Sequence, residues 1–231
     1  MLTAFFLICI TLIPVIPVYI WFAVRNYGRL RFLFAFTAGV LALLAAGFIQ
    51  SFFPAPDFHG RIEFVLFSVF IRISLVEEFS RFLALFILFY FFPNSRIPIP
   101  GFSSFASGHT EDPTPSFFGM PSGICAGLGF AAGESLFYGI ADPAAAFLRV
   151  FTAAPLHAAC GARIGSALGI YRKEPLRAAF LILAAVFIHG MYDFFILNPS
   201  IPWFLPCFLA LSALISSLLS IRYRNTGPSR N

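Results

Sequence analysis

Two adjacent glutamates and an arginine one helical turn further on interrupt a long apolar run of this chain. Glu77, Glu78 and Arg81 lie within a hydrophobic stretch over residues 62–92. A charged side chain near the centre of a bilayer costs from about 3 to more than 10 kcal/mol, depending on the reference state. The cluster therefore predicts either a buried ion pair or a functional site. The chemistry open to it is acid–base catalysis, because a buried carboxylate can accept a proton from water.

Further ionisable side chains fall within other apolar runs. They are Arg72, Glu134, Arg149, His157, His189 and Asp193. Residues four apart share one face of a helix, whereas neighbours lie about 100° apart. We therefore expect Glu77 to share a face with Arg81, and His189 to share one with Asp193, whose carboxylate can fix the histidine tautomer.

Together these residue types suit the attack of water on a peptide carbonyl. A carboxylate acts as general base, and histidines donate hydrogen bonds to the developing oxyanion. No serine has a GxSxG setting, HExxH is absent, and Asp193 is the one aspartate clearly inside an apolar run. These absences disfavour a serine hydrolase, a zincin and an aspartyl pair. A divalent metal bound by Glu and His side chains from separate helices is a minor alternative.

The composition places these residues in a membrane protein. The chain has 231 residues, of which 59% are hydrophobic and 11% charged, against about 25% charged in soluble domains. The net charge of +5 comes from arginines between apolar runs, which indicates contact with lipid head groups rather than nucleic acid. The four cysteines have unrelated spacings within apolar runs, which is typical of core residues.

We predict an all-α transmembrane bundle that forms one domain over residues 1–231, with its catalytic core at about 62–198. Seven runs approach the roughly 20 residues that a span needs. They cover about 3–24, 32–53, 62–92, 117–140, 144–171, 178–197 and 203–221. Pro14 and Pro17 predict a kink in the first span, and the composition of residues 94–116 predicts a flexible loop.

Basic residues and glycines predict how these spans are arranged. Arginines and a lysine cluster at 25–31, 172–177 and 222–224. With seven spans all three clusters fall on one side, which predicts an outside N-terminus and a cytoplasmic C-terminus. Glycines at four-residue spacing predict close packing of the fourth and fifth spans. They are Gly119, Gly123 and Gly127, and Gly161, Gly165 and Gly169.

The motifs come in the order of a known family. They are Glu77-Glu78-x-x-Arg81, Phe130-x-x-x-Glu134, Arg149 with His157, and His189-x-x-x-Asp193. This set resembles the PrsW-type intramembrane proteases, which are related to the CAAX-processing (Abi) membrane endopeptidases. The resemblance covers about residues 74–194. Arg81 is closer to the CAAX-type pattern, so assignment to the PrsW branch depends mainly on Glu134.

The resemblance implies a metal-free, glutamic-type endopeptidase without a cofactor. Its partners would be the lipid bilayer and a membrane protein or peptide substrate. Glu77 or Glu78 would activate the water, and Glu77 is favoured because it shares a face with Arg81. Arg81 would orient or neutralise the second carboxylate.

The other motifs would complete this site. Glu134 and His157 would help to form the water site, while His189 and Asp193 would stabilise the oxyanion or position the substrate carbonyl. We expect a multi-pass protein of the plasma (inner) membrane of a prokaryote. Two alternatives stay open, a proton-coupled transporter or channel and a non-catalytic relative that binds a membrane partner. The absence of an internal repeat disfavours the transporter.

Overall fold

Every regular element among the described residues of the computed structural model is helical. The structure describes residues 2–25, 27–54, 61–91, 115–198, 200–202 and 204–226. The α-helices are α1 Leu2–Leu12, α2 Val15–Val24, α3 Arg29–Gln50, α4 Ile62–Leu66, α5 Val76–Phe91, α6 Pro115–Ala141, α7 Pro143–Phe151, α8 Ala153–Ile170, α9 Pro175–Leu197 and α10 Phe204–Thr226. A π-helical segment, Phe67–Leu75, joins α4 to α5. The all-α prediction is confirmed for this part of the chain, while most of the predicted loop at 94–116 lies outside it.

Within the described part of the chain, three helices are long and apolar enough to cross a membrane. They are α3, α6 over Gly119–Ala141, and α9, and the number rises to five if two bent helix pairs each form one span. The structure therefore supports an integral membrane protein. The predicted count of seven spans and the orientation of the termini are not confirmed.

Two predicted spans are broken. Helices α1 and α2 meet at an angle of 51°, next to Pro14, where the sequence predicts a kink. Helices α7 and α8 meet at 48°, although the sequence predicts one span over 144–171. Pro155 explains this second break, because it has no N–H for the carbonyl of Phe151. Asp142 caps the start of α7 through a 3.0 Å hydrogen bond that the Ala144 N–H donates to its Oδ1.

Glycines let the central helices α6 and α8 approach until their backbones touch, as the sequence predicts. A Cβ on Gly123 would collide with the carbonyl oxygen of Gly161, and one on Gly119 would collide with that of Gly165. Gly127 faces the backbone carbonyl of His157 in the same way. Because backbone cannot move aside, this packing fixes where α8 places the His157 side chain.

The apolar core surrounds these two helices. On one side, Phe22 and Ala35 pack against Leu128 of α6. On the other, Leu85 of α5 and Ala185 of α9 pack against buried residues of α8. Helices α5, α6, α8 and α9, which carry the candidate site residues, therefore belong to one packed unit.

Candidate active site

Glu78 and Arg81 form an ion pair with no solvent exposure. The Arg81 Nη1 donates to both Oε1 and Oε2 of Glu78 at 2.6 Å, and both side chains are 0% exposed. The Arg81 guanidinium also lies over the Phe130 ring, 4.5 Å from its centroid. Arg81 therefore pairs with the glutamate three residues before it rather than with Glu77.

Arg81 also determines the tautomer of His157. Its Nη2 lies 3.0 Å from the Nδ1 of His157. Because a guanidinium can only donate, Nδ1 accepts and the neutral ring carries its proton on Nε2. That Nε2 lies 2.8 Å from Glu134 Oε2, which also pairs with Arg149 Nη2 at 2.5 Å. Both ring nitrogens of His157 are thus engaged.

His189 connects this ion pair to Glu77. Its Nδ1 lies 2.8 Å from Oε1 of Glu78, and since that carboxylate is ion-paired, the ring donates its proton to it. The other nitrogen, Nε2, lies 3.6 Å from Oε2 of Glu77 and 3.5 Å from Oδ2 of Asp193. Both oxygens are buried, and neither has a hydrogen-bond partner among the described residues.

Gln50 makes a polar contact with Glu77 that the sequence does not predict. Its Nε2 donates a 3.2 Å hydrogen bond to Oε1 of Glu77. Gln50 is the one glutamine in the chain, and it lies within the predicted second span. A lone amide inside an apolar run could have marked Gln50 as a candidate site residue. No motif or spacing in the sequence, however, connects it to Glu77.

Several site residues lie toward one end of the helices that carry them. Gln50 ends α3 and His157 lies in the first turns of α8, while the two glutamates lie near the middle of the continuous helical run over 62–91. His189 lies about 12 Å along the axis before the end of α9, at 1.5 Å per residue. The basic α8–α9 turn, with Arg172 and Lys173, is at the opposite end of α8 and α9. The candidate site is therefore displaced from the bundle centre, away from that basic turn.

The donor atoms fit a divalent metal. Glu77, His157 and His189 each offer a ligand atom, and these atoms lie within 4.8 Å of one another. His157 has no free lone pair in this arrangement, whereas Glu77 and Asp193 each keep a buried oxygen without a hydrogen-bond partner among the described residues, 3.6 and 3.5 Å from the Nε2 of His189. One imidazole nitrogen with carboxylate oxygens is a donor set that Zn²⁺ accepts. The hydrogen bond from the His189 Nδ1 to a carboxylate is also the usual support for a metal-binding histidine.

The structure brings all seven predicted site residues into one connected cluster. They are Glu77, Glu78, Arg81, Glu134, His157, His189 and Asp193. The His157 and His189 rings pack edge to face, with centroids 4.9 Å apart. The cluster divides into a half whose hydrogen bonds are satisfied and a half that has spare acceptors.

This fold and cluster define a helical membrane protein with a buried centre of carboxylates and histidines. The sequence pattern of the PrsW family intramembrane metalloproteases matches residues 29–219, and the chain belongs to this family. The resemblance found from the motifs is thereby confirmed, and with it an intramembrane protease class acting in a lipid environment. Because the family is described as metalloproteases, the glutamic type, the CAAX-like character and the absence of a cofactor are not confirmed. Neither a curated protein nor a solved structure matches the chain significantly.

Proposed function

We propose that this protein is an intramembrane endopeptidase in which Glu77 activates the hydrolytic water that cleaves membrane-associated protein substrates. One observation is the main support for this proposal. The Oε2 of Glu77 and the Oδ2 of Asp193 are buried without hydrogen-bond partners among the described residues, and both face the Nε2 of His189. Such orphaned acceptors are costly in an apolar interior, so a water or a metal ion between them would relieve that cost.

Glu77, rather than Glu78, is the candidate base. Both oxygens of Glu78 accept from Arg81, and Oε1 also accepts from His189. Taking a proton would cost Glu78 these interactions. Glu77 has an Oε2 with no such partner among the described residues. This argument replaces the face shared with Arg81, because Arg81 pairs with Glu78.

The remaining residues support this centre. Arg81 keeps Glu78 ionised, and Glu78 orients His189 so that Nε2 faces Glu77. Arg149 and His157 occupy Oε2 of Glu134. Because both of its ring nitrogens are engaged, His157 is a supporting residue rather than a hydrogen-bond donor to the substrate.

We favour a metal-dependent site over the metal-free one expected from the sequence. The family description and the unpartnered oxygens both support this choice. His189 and Asp193 would hold the ion, and Oε2 of Glu77 would stay free to accept a proton from the water beside it. When bound, it would polarise the scissile carbonyl and make water a better nucleophile. Asp193 would keep the ion near the substrate, and His189 would be held in its ligand tautomer by Glu78.

We also propose the predicted orientation, with the N-terminus outside and the basic α8–α9 turn in the cytoplasm of a prokaryotic cell. Basic residues favour the cytoplasmic side of a membrane. Because the site lies toward the other end of the helices, this orientation brings cleavage close to the outer surface of the plasma membrane.

Cleavage of a reporter in proteoliposomes tests the proposed function. A single-span reporter is incubated with the wild type, Glu77→Gln and the control Glu63→Gln, whose carboxylate is exposed and pairs with Arg61. We expect cleavage by the wild type and the control, and none by Glu77→Gln. A chelator should abolish wild-type cleavage, and Zn²⁺ should restore it. Full activity of Glu77→Gln would overturn the proposed base, and indifference to the chelator would overturn the metal.

A further inference from the structure

The end of α3 contacts Glu77, the candidate base. Gln50 is the last residue of α3, and its side-chain amide donates to Oε1 of Glu77 at 3.2 Å. This bond engages one oxygen of the carboxylate. The other oxygen, Oε2, then faces His189 and Asp193.

Arg72 in turn contacts the end of α3. Its Nη2 donates to the backbone carbonyl of Gln50 at 3.5 Å, and the Phe53 N–H donates to the same carbonyl at 3.1 Å. The last carbonyls of a helix have no partner within it and carry partial negative charge. A cation is therefore well placed here, and it limits movement of the backbone that carries the Gln50 amide.

The π-helical segment gives Arg72 this position. Ser74 stabilises the wide turn by donating to the carbonyl of Val69 at 2.9 Å. In the same segment the ring of Phe70 packs on Gly190, where a Cβ would collide with it. The segment thus contacts the end of α3 through Arg72 and the neighbour of His189 through Phe70. π-Helical turns occur frequently at functional sites.

We propose that Gln50 is a positioning residue for Glu77, secured by Arg72, and that it selects which carboxylate oxygen faces the reaction centre. This inference rests on the proposed function, in which Glu77 is the base. Gln50 contacts Glu77 and not the reacting atoms. Its loss should therefore slow turnover without weakening substrate binding.

Two substitutions at position 50 separate positioning from packing. Gln50→Met keeps the length of the side chain but removes the donor, and it should lower kcat about 10-fold with KM changed less than twofold, as for other supporting partners. Gln50→Glu replaces the donor by a carboxylate that repels Glu77, and it should lower kcat about 100-fold. The control Ser51→Ala changes the next residue, whose exposed hydroxyl bonds only the Phe48 carbonyl among the described residues, and should behave as the wild type.

A double-mutant cycle reads out the same contact without cleavage. Gln50→Met should lower the Tm by about 4 °C in the wild-type background, and by less than half of that in Glu77→Met, where the acceptor is already gone. An equal Tm shift in both backgrounds, or an unchanged kcat in Gln50→Met, overturns the inference. If the wild type cleaves nothing but the Tm shifts remain coupled, the proposed function fails while the Gln50–Glu77 contact stands.

Discussion

The two halves of the candidate site contain the same residue types but pair them differently. In the closed half, Glu78 and Glu134 are each paired with an arginine and a histidine. In the open half, Glu77 and Asp193 face His189 with unpartnered oxygens, and no arginine pairs with either carboxylate among the described residues. We propose that the two carboxylates with cationic partners are structural, whereas the two with spare acceptor capacity can bind an ion or take a proton. Residue type alone does not separate the two.

The largest effect should come from the open half. Glu77→Gln keeps the size of the side chain and the bond capacity toward Gln50 but removes the basic oxygen. Loss of a general base lowers rates by about 10²- to 10⁴-fold, so we expect kcat/KM to fall in this range with little change in Tm. Reporter cleavage in proteoliposomes measures it, with Glu63→Gln as the control. A fall of less than fivefold would remove Glu77 from the role of base.

The next effect concerns the metal. Asp193→Asn keeps the shape of the side chain but removes the charge of a proposed metal ligand. We expect the Kd for Zn²⁺ to rise, and cleavage at limiting Zn²⁺ to fall about 10- to 100-fold, with partial recovery at higher Zn²⁺. A competition titration with a chromogenic chelator measures the affinity. An unchanged Kd would place Asp193 outside the metal site.

Substitutions in the closed half should mainly lower the stability of the fold. Glu78→Gln leaves Arg81 as an uncompensated charge that is 0% exposed. Breaking a buried pair in this way typically costs about 3–5 kcal/mol. We expect a strongly lowered unfolding midpoint in detergent, and Arg81→Gln should show the same. Wild-type stability of both variants would contradict the structural role of the pair.

The smallest effect on activity is expected far from both halves. Arg163 on α8 donates to the hydroxyls of Ser216 and Ser217 at 2.7 and 2.8 Å, which ties α10 to the bundle. Arg163→Gln should lower the Tm because these bonds are lost, yet leave kcat within about twofold. A tenfold loss of kcat at unchanged Tm would show that α10 acts on the site.

The sequence predicted seven residues that the structure brings together, but it did not predict how they are paired. The costly charges in apolar runs identified Glu77, Glu78 and Arg81, and the motif order pointed to their partners on other helices. Spacings of three and four residues both allow contact on a helix, so the choice of Glu78 as the partner of Arg81 required the structure.

Other features depend on tertiary packing that no local pattern encodes. Gln50 reaches Glu77 only because α3 ends beside the start of α5, and the intervening residues contain a π-helical segment. The break at Thr152 shows another limit, because the apolar run continues through it and hides the effect of Pro155. The glycine stripes were predictable because close backbone packing demands them directly.

We propose that Glu77 is reactive and Glu78 is structural, and a matched pair of variants distinguishes these two roles. Glu77→Gln and Glu78→Gln are reconstituted with the same single-span reporter, and cleavage is normalised to the folded fraction of each. We predict that Glu77→Gln is well folded and inactive, while the folded fraction of Glu78→Gln still cleaves measurably. A stable, active Glu77→Gln beside a folded but inactive Glu78→Gln would contradict the assignment.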